Sequence, residues 1–151
     1  ALETGVVKRY ITDFGTEELL NKPNVTVFPH VGGSTGEAEL NCAIMAAQTI
    51  RRFMETGEIV NSVNFPRVQQ VLSAPYRITL INKNVPNIVA RISTAVSDFN
   101  INIDNIINRS KGEYAYTLLD LDETDKSKID ELVAKFEASD NIVRVRLIKG
   151  K

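Results

Sequence analysis

The stretch "NVTVFPHVGGSTGEAEL", residues 24–40, carries the only histidine of the 151-residue chain. An imidazole is the side chain best suited to exchange a proton near neutral pH. His30 follows a short β-type run, abuts the Gly32-Gly33 turn and precedes the start of a helix. Such a setting is rigid and accessible, and the helix dipole favours anions beside it. A histidine acting as general base needs an orienting carboxylate, and Glu17 and Glu18 in the preceding loop are both candidates. The plainer reading of a lone loop histidine is a packed or solvated side chain. "GGST" lacks the lysine of a phosphate loop, and G-x-G-x-x-G occurs nowhere in the chain.

A second candidate is "NKNVPN", residues 82–87, between a strand and a helix. Read plainly it is a polar turn with proline at the first helical position. Read functionally, the helix N-terminus offers free N–H groups to a carboxylate, and Asn82, Asn84 and Asn102 add amide hydrogen bonds to a small polar ligand. Tyr114 and Tyr116 read as core and cross-strand residues, and "DLDETDKSK" as a solvated loop with helix caps. One His and one Cys exclude a zinc site of the usual composition, and no metal site is expected.

Composition narrows the classes further. Eighteen Lys and Arg against nineteen Asp and Glu leave a formal charge of −1, so charge gives no reason to expect nucleic acid or an anionic membrane as partner. No run approaches the roughly 18 apolar residues of a membrane span. The single Cys42 excludes an intrachain disulfide and fits a reducing cytoplasm. "ALETGVVKRY" has no apolar signal-peptide core. It reads as the last turn of a helix entering a strand, so the chain is expected to be cut from something longer.

The elements that must hold these residues fall into two halves. Val6–Phe14 and Val25–Phe28 are predicted strands, followed by a helix over 36–56 with Ser34 and Thr35 as caps and Gly57 as its stop. Ala38, Cys42, Met45, Thr49 and Phe53 form one apolar line of that helix, and Ile44, Ala47, Ile50 and Met54 another. A helix so patterned is enclosed on more than one side, which two short strands cannot supply. Residues 61–75, with Pro66 and Pro75 and no period, read as a linker. Beyond it, Tyr76, Ile78 and Leu80 alternate with Arg77 and Thr79 as a half-buried strand, and Pro86 opens a helix with Ile88, Ile92, Ala95 and Phe99 on its face. Two strands, 101–110 and 113–121, meet at a Lys111-Gly112 turn. A helix with face Ile129, Leu132, Val133 and Phe136 and a strand with Val143, Val145 and Leu147 complete a βαββαβ order, that of a ferredoxin-like domain.

"ALETGVVKRYITDFGTE", "NVTVFPHVGGSTGEAE" and "NSVNFP" resemble the C-terminal part of the D-3-phosphoglycerate dehydrogenases within the D-2-hydroxyacid dehydrogenase family, and the second half resembles the ACT regulatory domain that follows it. The resemblance implies an α+β chain. Residues 1–60 would be an incomplete α/β remnant of the catalytic and NAD-binding region with a long helix, 61–75 a linker, and 76–151 an ACT domain. It implies NAD-dependent oxidation of 3-phosphoglycerate to 3-phosphohydroxypyruvate in serine biosynthesis, with His30 taking the hydroxyl proton and Glu17 hydrogen-bonded to it. Asp13, Gly32 and Gly33 fall to cofactor binding, Thr12 standing at the position of the family's aspartate. The substrate arginine and glycine-rich loop of the family lie upstream, so this chain alone is expected to be inactive. Asn82, Asn84 and Asn102 fall at effector positions, with L-serine as the amino acid held where two ACT domains meet. Asn87 stands where the family carries glycine. A cytoplasmic homo-oligomer, joined through the ACT domains and the long helix, follows from the same resemblance, as does the alternative of an ACT domain that holds the oligomer together and binds nothing.

Overall fold

A computed structural model describes residues 1–150. The chain divides into two compact units, at Met45 and Ala46. The division falls inside the long helix, whereas the sequence placed the break at residues 61–75.

In the first unit, β1 (Tyr10–Thr12) and β2 (Val25–Val27) pair in parallel, with Tyr10 opposite Val25 and Thr12 opposite Val27. The strand expected over Val6–Phe14 is thus shorter: there are only three partners on β2 to pair with. Helix α1 (Gly36–Thr56) begins where Thr35 Oγ1 accepts the Ala38 N–H at 3.1 Å. No residue of α1 is buried, and Leu40, Ile44, Met45, Ile50, Phe53 and Met54 are among its exposed apolar side chains. The two apolar lines are present, and the enclosure expected for them is not supplied by the described residues.

The second unit contains the rest of α1 and a four-stranded antiparallel sheet. Its elements are β3 (Tyr76–Lys83), α2 (Ile88–Ser97), β4 (Asn102–Lys111), β5 (Tyr114–Asp122), α3 (Lys126–Glu137) and β6 (Ile142–Lys149). The order across the sheet is β4-β5-β3-β6, the ferredoxin-like arrangement expected from the βαββαβ sequence. Ile78, Leu80, Leu119 and Leu121 meet Ile88, Ile92, Val96, Ile129, Leu132 and Phe136 in the main core. Each of these side chains stabilises the fold by roughly 1.5–3 kcal/mol when fully buried. The hairpin turn is Gly112-Glu113, one residue later than expected, with Lys111 opposite Tyr114 and Gly112 at φ +65°. Helix α2 starts at Ile88, because Asn87 takes the left-handed conformation (φ 64°) as its N-cap and leaves Pro86 outside the helix.

β3 is buried on both faces instead of one. Residues 57–71 lie along the face opposite the helices, where Ile59 and Val68 form an antiparallel bridge and pack with Tyr116, Leu118 and Phe65. The segment read as a linker is thus partly a cover. Arg77, expected at the solvent face, is fully buried and bidentate to Asp120, directly opposite on β5 (Nε to Oδ1 2.5 Å, Nη2 to Oδ2 2.8 Å). Its remaining N–H groups donate to the carbonyls of Thr56, Gln70 and Val71. A buried guanidinium is tolerable only when its donors are satisfied in this way.

Candidate functional site

Parallel pairing of β1 and β2 brings the two strand ends side by side. The Phe28 N–H donates to Thr12 O at 3.1 Å and extends the ladder past β2. Thr12, the one buried residue of the first unit, accepts the Phe14 N–H on its Oγ1 at 3.0 Å and so turns the chain after β1. That turn presents Asp13 and Phe14 to His30, two residues beyond Phe28. His30 Nδ1 lies 2.7 Å from Asp13 Oδ2, and the Phe14 ring stands 4.6 Å from the imidazole centroid. Gly15 follows, passing so close to β2 that a Cβ there would stand 2.6 Å from Val27 Cγ1.

Of the residues assigned to chemistry in this unit, His30 and Asp13 are therefore together. Glu17 and Glu18 are exposed in the loop, and neither is bonded to His30. Gly32 and Gly33 are exposed before α1, with open space where a side chain would stand. Two three-residue strands without a G-x-G-x-x-G strand-to-helix turn do not make a dinucleotide site, so among the described residues NAD has no complete site.

The asparagines of the second unit do not converge within one chain. Asn82 is fully buried on β3, accepts from Thr117 Oγ1 at 2.9 Å and donates to Lys83 O at 3.0 Å. Asn108 donates to the same threonine at 2.7 Å, so an Asn108–Thr117–Asn82 chain crosses the sheet. Asn84 is exposed and tied to the hairpin through Gly112 O at 3.0 Å. Both lie at the end of the sheet where α2 begins, and no side-chain cap claims the first N–H groups of that helix. Asn102 is exposed at the other end. Asn82 pairs with Ala115 and Ala115 with Ser110, so Asn102 is eight residues away along β4, roughly 25 Å at the usual strand rise. Sequence reasoning missed Thr117, Asn108 and Asp120. The signal for Asp120 lay in "TLLDLD", where an acidic residue interrupts an apolar run that must sit beside β3.

The fold and its polar sites define a ferredoxin-like α+β module preceded by a histidine–carboxylate pair on two strand ends. No protein-family model matches the chain. The chain is similar to D-3-phosphoglycerate dehydrogenases over 88% of its length, which bears out the resemblance read from its sequence. It is 33% identical over 139 residues to D-3-phosphoglycerate dehydrogenase 2 of Saccharomyces cerevisiae, and 26% identical over 133 residues to D-3-phosphoglycerate dehydrogenase of Escherichia coli. It spans 29% of the yeast relative and 32% of the bacterial one. Among solved structures, the ACT domain from GTP pyrophosphokinase of Chlorobium tepidum aligns with a TM-score of 0.44 and 18% identity, covering 48% of this chain and 95% of that domain. The regulatory subunit of aspartate kinase from Thermus thermophilus aligns with a TM-score of 0.42 and 20% identity, covering 51% of this chain and 52% of that one.

Proposed function

We propose that this chain is part of an NAD-dependent D-3-phosphoglycerate dehydrogenase, which oxidises 3-phosphoglycerate to 3-phosphohydroxypyruvate for serine biosynthesis. Residues 76–151 are its amino-acid-sensing ACT domain. The observation that carries this reading is the similarity to those dehydrogenases across both units of the chain. NAD would be held by the whole protein and would supply a hydride acceptor there; the residues present here supply His30, which would take the substrate hydroxyl proton. The roles of Glu17, Gly32 and Gly33 rest on the resemblance alone. Without a dinucleotide site the chain by itself is inactive.

The effector is L-serine, held between two copies. β4 is an edge strand of the sheet, and an edge is open to antiparallel pairing with its own copy. Pairing centred between Ile106 and Ile107 sets the partner's Asn102 opposite Lys111. Lys111 stands opposite Tyr114, and Tyr114 opposite Lys83. That brings the partner's Asn102 to the Asn82–Asn84 end, where the uncapped start of α2 would receive a carboxylate. The alternative, an ACT domain that only joins subunits, is favoured by one observation: the Asn82 amide already has internal partners for both its ends.

Calorimetric titration of the purified chain with L-serine, with glycine and L-alanine as controls, separates the two. Saturable heat with serine alone is expected. A dimeric chain that gives no heat with any of the three is an assembly module, and the sensing role falls.

A further inference from the structure

We propose that the crevice between α2 and α3 is a site for one small aliphatic α-amino acid, held within a single copy and separate from any site between two copies. The two helices enclose a cavity of about 190 Å³ at one end of the sheet. Asn82 stands opposite Ile142, and the Lys83 N–H donates to Asn141 O at 2.9 Å, so the loop from α3 into β6 lies at the end of the sheet where α2 begins. At roughly 30 Å³ of liquid per water, the cavity has the room of about six waters. Sites for drug-sized ligands run to about 300–1,000 Å³. The space suits a single amino acid and excludes a nucleotide or a peptide.

The lining divides into an apolar floor and a polar rim. Ile88, Ile92 and Phe136 are buried beneath it, and Ala95 and Ile142 are half-buried at its sides. These side chains accept an aliphatic group and offer no partner to a polar one. On the rim, Lys135 is already engaged: its ammonium donates to Asp98 Oδ2 at 2.6 Å and lies 5.4 Å from the Phe99 ring centroid. Arg91 is exposed, and its guanidinium joins no ion pair or hydrogen bond among the described residues. Of the two lining cations it is the one free to receive a carboxylate, and its planar fork of N–H groups suits that geometry. On the other wall, α3 ends at Glu137. A helix C-terminus carries partial negative charge on its last carbonyls, which favours an ammonium. Ser139 and Asn141, half-buried just beyond that end, add a hydroxyl and an amide. One guanidinium facing one helix C-terminus matches a zwitterion. A phosphate ester, with its double negative charge, would meet a single free cation and the unfavourable end of a helix.

Carbon-13 NMR of the isoleucine δ-methyls in the full chain, titrated with L-leucine, tests this directly. The Ile88, Ile92 and Ile142 methyls should shift together and saturate, while those of Ile59 and Ile107, on the opposite face of the sheet, stay in place. Isocaproate lacks the ammonium and isopentylamine lacks the carboxylate, and each should bind at least about tenfold more weakly than L-leucine. Arg91→Gln, at an exposed helical position, should keep the fold and weaken L-leucine by about tenfold or more, the loss of one charge-assisted hydrogen bond. Saturating L-serine should leave the L-leucine affinity unchanged. The proposal is overturned if L-leucine shifts none of the three methyls, or shifts those of Ile59 and Ile107 as much. It is equally overturned if Arg91→Gln binds as the parent does, or if L-serine competes, since competition would put both amino acids in one place. L-leucine binding is read without L-serine, so failure of the serine-sensing role would leave this result standing.

Discussion

At the residue scale, Asn82 shows how a side chain that reads as a ligand contact is also bonded within the sheet. Its type and its place before a helix suggested ligand binding. Its burial and its bonds to Thr117 and Lys83 show that it organises a polar chain inside an apolar core. Removing the amide takes away the acceptor of the Thr117 hydroxyl proton and leaves that oxygen only its bond from Asn108, and a buried donor without its acceptor costs about 1–3 kcal/mol. Asn82→Ala should therefore lower the urea midpoint by a clear margin, while Asn84→Ala, exposed at the hairpin, should stay within about 0.5 kcal/mol of the parent. Equal midpoints would show that the Asn82 chain contributes nothing to stability. Asn87 makes a different point. With φ at 64° it occupies the backbone region that asparagine tolerates better than other residues bearing a Cβ, which is the region glycine would also supply.

At the element scale, helix ends are held by groups from elsewhere in the sequence. The last turn of α1 has no basic residue of its own. Arg146 on β6 donates to the carbonyls of Phe53 and Met54 and stacks over the Phe53 ring, Arg77 donates to Thr56 O, and the Tyr116 hydroxyl donates to Gly57 O at 2.7 Å. Two guanidiniums at a helix C-terminus complement its dipole. The start of α3 is held by carboxylates instead. Glu123 accepts the Asp125 and Thr124 N–H groups and the Lys128 ammonium, and these hold its carboxyl at about 2, below its ordinary 4.5. A depressed folded-state pKa stabilises the fold fully above about pH 4.5, and that contribution is lost as pH falls through about 2. Glu123→Gln should accordingly be less stable near neutrality and lose less between pH 4.5 and 2, read from urea midpoints across that window. Parallel curves for the two proteins would contradict the assignment. The order of elements was legible in the sequence, since apolar periods of two and of 3.6 mark each strand and helix of the second unit. The second face of β3 was not. Arg77 and Thr79 alternate with apolar residues as solvent-facing residues do, and only the long-range return of residues 57–71 buries them. His30 was legible as a candidate from type and setting, whereas its carboxylate depends on a parallel register that no local pattern encodes.

At the scale of the whole molecule, the two units differ in what holds them. The first unit, residues 1–45, buries only Thr12, and Val6, Ile11, Phe14, Leu20 and Val31 are more than half exposed. The second has a core of twelve buried residues between sheet and helices, and a smaller one on the opposite face. Since apolar burial is the main force opposing chain entropy, the two units should not share one opening free energy. Amide exchange reports this directly, because each amide exchanges through the cheapest opening that frees it. The hydrogen-bonded amides of Tyr10 and Phe28 should exchange orders of magnitude faster than those of Ile78, Leu80, Leu119 and Leu121. Protection in the second unit should fall in proportion to denaturant, as global unfolding requires, while protection in the first stays low and almost independent of it. If the amides of β1 and β2 were instead as protected as those of β3 and β5, the chain would open as one cooperative body. The thin burial around Thr12 would then be an insufficient account of what holds the Asp13–His30 pair in place.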